Sequence, residues 1–176
     1  GGNGTDSPNG RESIVDMNGK VKPFVYKAKE KGVIFDIGFG GGSYLYNQGV
    51  PAVKAGFYPN TISTDLHTGS MNGPMKSMEN IMGLFMATGM PLKEVIAAST
   101  WKPAQAIKRE ELGSLSEGSV ADIAIFKITN GKYGWPVRGG KIEGSQRFQT
   151  EMTIRAGNVV YDLDGISQPA GPAPVR

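Results

Sequence analysis

The chain has 176 residues, of which 39% are hydrophobic and 20% are charged, a globular composition that argues against an intrinsically disordered protein. The formal net charge of +3 is too small to indicate a nucleic-acid binder. The absence of cysteine excludes disulfides, thiolate zinc sites and thiol nucleophiles, and the single histidine, His67, excludes any site that needs two histidines from this sequence. No run of about 18 apolar residues occurs, so no membrane-spanning helix is predicted.

The first half of the chain alternates predicted helices and strands. Residues 1–13 have the composition of a loop, and residues 23–31 are predicted to form a short helix. Apolar, β-branched strands are predicted at 33–37 and 61–65, with an irregular helix over 44–56 between them. Because this connection is long enough for a right-handed parallel crossover, the two strands are expected to be parallel neighbours whose following loops share one edge.

The second half changes from helices to strands. Helices are predicted over 77–90 and 91–110, and Pro103 is expected to break or kink the second because proline lacks the N–H that a helix interior needs. Strands are predicted at 123–128, in the alternating segment FQTEMTIRAG (148–157) and at 158–163. These elements divide the chain into an α/β part over 14–110, an all-β part over 111–165 and an extended tail over 166–176.

A glycine-rich segment, GFGGGS, follows the first predicted strand. Its Gly38, Gly40 and Ser43 match the pattern of a dinucleotide-binding turn, in which glycines let phosphate approach a helix N-terminus. The acidic partner of such a turn belongs about 20 residues further on, but Asp65 lies beyond that distance and Gly49 interrupts the helix. A nucleotide- or phosphate-binding module is one interpretation, and a turn that only reverses the chain is another.

The segment STDLH contains a second candidate site. Asp65 ends the second predicted strand, which is where α/β folds place residues that contact ligands. A carboxylate there can bind a divalent cation, accept a proton from activated water, or simply cap the next segment. His67, two residues further on, is a candidate metal ligand, a candidate substrate donor or an exposed loop residue.

Five segments in this order resemble the C-terminal part of the amidohydrolase/deacetylase-type metallohydrolases, relatives of dihydroorotase and D-aminoacylase. They are VIFDIGFGGGS, PNTISTDLH, LFMATGMPLKEVIAASTWKPAQAI, LGSLSEGSVADIAIF and MTIRAGNVVYDLDG, and the resemblance covers about residues 14–165. STDLH resembles the eighth barrel strand with its metal-site aspartate. The resemblance implies an α/β fold, namely the C-terminal portion of a (β/α)₈ TIM-like hydrolase barrel plus strands of the small β-sandwich that flanks it.

The resemblance also implies chemistry, namely hydrolysis of a non-peptide C–N bond, as in an N-acyl amino acid deacetylase or a dihydroorotase-like enzyme. One or two divalent metal ions, zinc by preference, would activate water, and Asp65 would bind metal and accept the proton. Phe39, Gly40, Gly41 and His67 would contact the substrate, with Phe39 as an apolar wall where relatives often carry histidine. The other metal ligands are expected outside this chain, which is therefore expected to be a fragment that is inactive by itself.

The resemblance implies a small-molecule amide as the partner and allows a homo-oligomer of the complete enzyme, with no reason to expect nucleic acid or a membrane span. Two interpretations from other classes remain, the phosphate-binding module and a non-catalytic interaction domain. A histidine pair upstream in the complete gene product would favour the hydrolase. A rise in melting temperature with added nucleotide would favour the phosphate-binding module.

Overall fold

The computed structural model describes residues 12–73, 75–169 and 171. The helices of this part are α1 (Pro23–Glu30), α2 (Tyr46–Lys54), α3 (Met78–Thr88), α4 (Leu92–Ser99) and α5 (Trp101–Ala106). The strands are β1 (Asp36–Gly38), β2 (Thr61–Ser63), β3 (Ile123–Val137), β4 (Gly140–Arg155) and β5 (Asn158–Asp162). The parts of the predicted terminal loop and tail at 1–11, 170 and 172–176 lie outside the described residues.

The strands β1 and β2 form a parallel pair, which confirms the prediction from the crossover length. The pairing continues past β1, because the N–H groups of Phe39 and Gly40 donate to the carbonyl oxygens of Ser63 and Thr64 at 3.1 and 3.0 Å. The carboxyl ends of both strands therefore lie at one edge. The loops that carry the candidate site residues start from that edge.

Both strands of the pair are shorter than predicted. Residues 33–35 precede β1, and the side chains of Val33 and Ile34 are about half exposed, at 50% and 51%. Phe35 packs edge-on against the ring of Phe57, with the ring centroids 5.0 Å apart. The apolar composition predicted a longer buried strand, but an extended segment becomes a strand only where a neighbour accepts and donates its backbone hydrogen bonds.

The helical segment after residue 91 breaks at Thr100, which confirms the break predicted from Pro103. Thr100 has φ −133° and ψ −85°, outside the helical region, and it separates α4 from α5. Pro103 lies in the first turn of α5, where no preceding carbonyl of that helix needs its missing N–H. The carbonyl that Pro103 would serve and crowd in a continuous helix is that of Ser99, the last residue of α4, so the proline fits α5 but not an unbroken helix.

The main hydrophobic core forms where α3 contacts β2, α2, α4 and β4. Ile81, Leu84 and Phe85 of α3 are almost completely buried, so this helix supplies the centre of the core. Gly83 of α3 lies against Trp135 of β3, and a Cβ added at Gly83 would be 2.9 Å from Cζ2 of the indole. The helix and the long hairpin are therefore in direct contact.

The last three strands form an antiparallel sheet in the order β3–β4–β5. The β3–β4 hairpin is longer than the strand predicted at 123–128, because its pairing continues to Val137 and Gly140. A shift of register between Asn130 and Tyr133 interrupts the alternation of apolar residues that would have revealed it. Within the described residues no further strand closes a barrel or adds a second sheet to a sandwich, so those parts of the expected architecture stay predictions.

None of the helices that the structure describes is both long enough and apolar enough to cross a membrane.

Candidate functional site

Two loops meet at the carboxyl edge of the parallel pair. The glycine loop, residues 39–45, follows β1, and the aspartate loop, residues 64–73, follows β2. His67 Nε2 lies 3.3 Å from the carbonyl oxygen of Gly40, and a Cβ added at Gly41 would be 3.4 Å from Cβ of Ser70. The structure therefore brings together four of the predicted site residues, Gly40, Gly41, Asp65 and His67.

Asp65 lies above a surface made of glycines. A Cβ added at Gly38 would be 2.9 Å from Cβ of Asp65, and one added at Gly40 would meet Oδ2 of the Asp65 carboxylate. Asp65 also has a left-handed backbone with φ 47°, a conformation that aspartate tolerates better than most residues but that still costs roughly 1 kcal/mol. Such strain is typical of functional positions, and here it directs the side chain over the glycines.

The Asp65 carboxylate has no partner in the described part of the chain. The residue is exposed, and the hydrogen bond recorded at Asp65 reaches its main-chain carbonyl, which accepts from the Ser70 hydroxyl at 3.4 Å. A capping aspartate would instead accept a backbone N–H with its side chain, so the capping interpretation has no support. The two carboxylate oxygens are available for a cation or a proton.

His67 joins the two loops through Nε2, while its Nδ1 is held within its own loop. Its Nδ1 accepts the N–H of Gly69 at 3.0 Å, which assigns the ring proton to Nε2. That Nε2–H donates to the carbonyl oxygen of Gly40 at 3.3 Å. Since a metal ligand needs an unprotonated nitrogen with a free lone pair, a metal ion at His67 would have to replace one of these two contacts.

Phe39 has a packing role. Its side chain is 4% exposed and belongs to the same hydrophobic core as Phe85 and Ile62. The ring therefore holds the start of the glycine loop against the interior. Its expected role as an apolar wall for the substrate stays a prediction.

The glycine loop is not arranged as a phosphate cradle. The N–H groups of Phe39, Gly40, Gly42 and Ser43 all donate to main-chain carbonyls, which leaves these donors unavailable to a phosphate. The following helix begins only at Tyr46, so its N-terminus does not directly follow the glycines. The nucleotide-binding interpretation gains no support from this geometry.

A metal ion would find one suitable ligand here. The free carboxylate of Asp65 fits a divalent cation, but among the described residues no three His, Cys, Asp or Glu side chains come together to hold one. Zinc sites take three or four protein ligands. The described part of the chain can therefore supply one ligand, the Asp65 carboxylate, to a metal site.

A separate cavity of about 460 Å³ lies between α2, α3 and the β3–β4 hairpin. Its lining includes Lys54, and Lys141 with its partner Glu143, an ion pair at 2.6 Å whose side chains are largely exposed. None of the predicted site residues lines this cavity, so the candidate site is the loop pair and not the cavity.

The sequence reasoning missed Ser70. This serine is 8% exposed, and its Oγ accepts the N–H of His67 at 3.1 Å. Both residues belong to a turn and not to a helix start, so no capping pattern in the sequence identifies Ser70.

We expect Gly40→Ala to lower the free energy of unfolding by about 1–2 kcal/mol, because the added Cβ would meet the Asp65 carboxylate and alanine disfavours a left-handed φ of 53°. Gly42→Ala is the matched control, since Gly42 lies in the same loop, has no positive φ and has nothing within 4 Å of an added Cβ. Urea denaturation of the purified variants measures the difference. Equal stabilities would contradict the close packing of Asp65 on Gly40.

Comparison with known proteins gives one family. Residues 47–160, which include β2, Asp65 and His67, match the amidohydrolase family. A deacetylase of Brucella anthropi is 38% identical over 100 residues, which is 57% of this chain and 25% of the relative. The chain spans about a quarter to a third of the length of the curated relatives it matches.

Solved structures are similar over most of the chain. The crystal structure of an adenine deaminase covers 91% of this chain and 44% of its own, with a TM-score of 0.79 and 28% identity. The crystal structure of a dihydroorotase covers 80% of this chain and 40% of its own, with a TM-score of 0.70 and 26% identity. The parallel pair, the helices and the antiparallel sheet thus follow an arrangement found in enzymes of known structure.

Proposed function

Since this chain belongs to the amidohydrolase family, we propose that it is part of a metal-dependent hydrolase that cleaves a non-peptide C–N bond. The observation that carries the proposal is the Asp65 carboxylate, which is exposed, without a partner in the described chain, and seated on glycines at the carboxyl edge of a parallel pair. The deacetylase, adenine deaminase and dihydroorotase among the similar proteins support this class of reaction.

In the proposed reaction Asp65 is both a metal ligand and the proton acceptor. The chemistry that one or two bound divalent ions, zinc in our proposal, would supply is activation of water and polarisation of the substrate carbonyl. Asp65 takes the proton of the attacking water on a carboxylate oxygen and then delivers it to the leaving nitrogen. This transfer needs a carboxylate with an oxygen free of other partners, which is the state of Asp65 in the described chain.

The remaining site residues are proposed to form the substrate side. His67 already donates through Nε2 to the carbonyl oxygen of Gly40, and a substrate oxygen that displaced this carbonyl would receive the same hydrogen bond. Gly40 and Gly41 both have positive φ, at 53° and 81°, and leave room for substrate to approach the backbone. Phe39 would limit the site on its interior side.

The substrate class we propose is an N-acyl amino acid or a cyclic amide. The test is to load the complete enzyme that contains this chain with zinc and to assay N-acetyl amino acids, cyclic amides and adenine side by side. We expect turnover within one of the two amide classes, its loss with a chelator and its recovery with zinc. An enzyme that binds zinc and hydrolyses none of these compounds would overturn the proposal.

The proposed substrate role of His67 gives a separate expectation. His67→Ala in the complete enzyme should raise KM about fivefold, the effect of one lost hydrogen bond, and leave the metal content unchanged. Thr68→Ala, a change at the neighbouring exposed residue, is the control. Loss of a full metal equivalent in His67→Ala would show that His67 is a ligand after all.

A further inference from the structure

We propose that Ser70 is a positioning residue, which holds Asp65 and His67 in the arrangement that hydrolysis requires. This inference rests on the proposed function, because it assigns Ser70 a role in that same site. Ser70 itself is buried at 8% exposure, with Cβ facing Gly41 of the opposite loop. It therefore acts through its neighbours and not on the substrate.

The hydroxyl of Ser70 connects to both proposed site residues of the aspartate loop. Its Oγ accepts the backbone N–H of His67 at 3.1 Å. Its O–H can donate to the carbonyl of His67 at 3.3 Å or to the carbonyl of Asp65 at 3.4 Å. One side chain thus constrains the backbone on each side of Leu66, the residue that separates Asp65 from His67.

A backbone hydrogen bond closes this contact into a tight turn. The N–H of Ser70 donates to the carbonyl of His67 at 2.9 Å, while Oγ of Ser70 accepts the N–H of His67 in return. The same turn presents the N–H of Gly69 to Nδ1 of His67 at 3.0 Å. The tautomer of His67, with its proton on Nε2, therefore depends on a turn that Ser70 closes.

The turn also acts on Asp65. A left-handed φ of 47° is unfavourable for aspartate and persists only where the surroundings hold it. The Ser70 hydroxyl is the side chain that reaches the Asp65 carbonyl, at 3.4 Å, and Gly40 lies under the carboxylate. Without the hydroxyl, the backbone of Asp65 can relax toward an ordinary conformation and carry the carboxylate away from its position over the glycines.

The first test compares Ser70→Ala, Ser70→Thr and Ser145→Ala in the zinc-loaded complete enzyme. Ser145 is the control, because it is exposed on β4 and lies outside both loops. We expect Ser70→Ala to lower kcat about tenfold and to raise KM by up to about fivefold with metal content unchanged, since Asp65 loses its position for proton transfer and His67 loses its fixed tautomer for substrate binding. Ser70→Thr, which keeps the hydroxyl, should recover most of the rate.

Normal turnover by Ser70→Ala overturns the inference. So does a loss of rate that Ser70→Thr fails to reverse, or one that accompanies loss of metal and a lower melting temperature, because these results describe a structural residue. If the unsubstituted enzyme hydrolyses no amide, the proposed function is wrong, and the role of Ser70 is then tested only by the second experiment. The second test does not depend on activity, and it separates these two failures.

The second test uses the one histidine of the 176-residue chain. A nitrogen-15 spectrum of the histidine-labelled chain reports the two ring nitrogens of His67 without ambiguity. We expect a single tautomer with the proton on Nε2, and averaging of the two nitrogens in Ser70→Ala but not in Ser145→Ala. An unchanged spectrum in Ser70→Ala overturns the inference, whatever the activity.

Discussion

Replacing Asp65 by Asn is expected to lower kcat of the complete enzyme at least about a hundredfold, which is the usual contribution of a general acid–base group. Asparagine has the same size and keeps one carbonyl oxygen for a metal, but its amide does not accept the proton. The fold should remain, because the Asp65 carboxylate makes no hydrogen bond within the described residues that the substitution would break. Most of the bound metal should remain as well.

The measurement combines steady-state kinetics with metal analysis of the same sample. Asp164→Asn is the matched control, since Asp164 is exposed and lies beyond β5, away from both loops. A rate for Asp65→Asn close to that of the control would show that Asp65 does not transfer the proton. Loss of metal together with rate would instead assign it mainly to metal binding.

The second large effect concerns the 176-residue chain by itself, which we expect to bind far less than one equivalent of zinc and to hydrolyse no amide. The sequence contains one histidine and no cysteine, and no three metal-binding side chains converge among the described residues. One free carboxylate is too few ligands for a zinc site, which takes three or four. The measurement is equilibrium dialysis with zinc, followed by an amide hydrolysis assay.

The control is the same segment expressed within a longer chain that supplies histidine ligands. We expect that chain to bind zinc and to hydrolyse the amide, and we expect Asp65→Asn within it to abolish most of the hydrolysis. Stoichiometric zinc binding with steady turnover by the 176-residue chain would show that its own residues complete the site. That result would contradict the interpretation that this chain contributes only one ligand to the metal.

The parallel pair was predictable because the signals for it lie in short segments that are close in the sequence. Two short apolar segments separated by a connection of crossover length have few ways to pair, and the observed register joins Ile37 to Ile62. The position of Asp65 followed from the same reasoning, since residues after parallel strands share an edge. The resemblance to amidohydrolases was recognisable for a similar reason, because its motifs are short contiguous segments, and the family match over residues 47–160 confirms it.

Other features depend on contacts between distant segments, and the sequence pattern did not reveal them. The strand expected at 33–37 begins only at Asp36, where β2 provides backbone partners. The β3–β4 hairpin runs through a register shift near Asn130, so apolar alternation predicted only part of it.

The amino-acid sequence by itself determined the α/β character, the family and the aspartate at the strand end, because periodicity, turn residues and contiguous motifs are properties of neighbouring residues. Only the tertiary structure decided that Phe39 is buried, that both nitrogens of His67 have hydrogen-bond partners, and that Ser70 contacts the backbone of Asp65 and His67. The physical reason is that burial and hydrogen-bond partners are set by which segments meet in space. His67 and Gly40 belong to different loops, and their contact exists only once the parallel pair has formed.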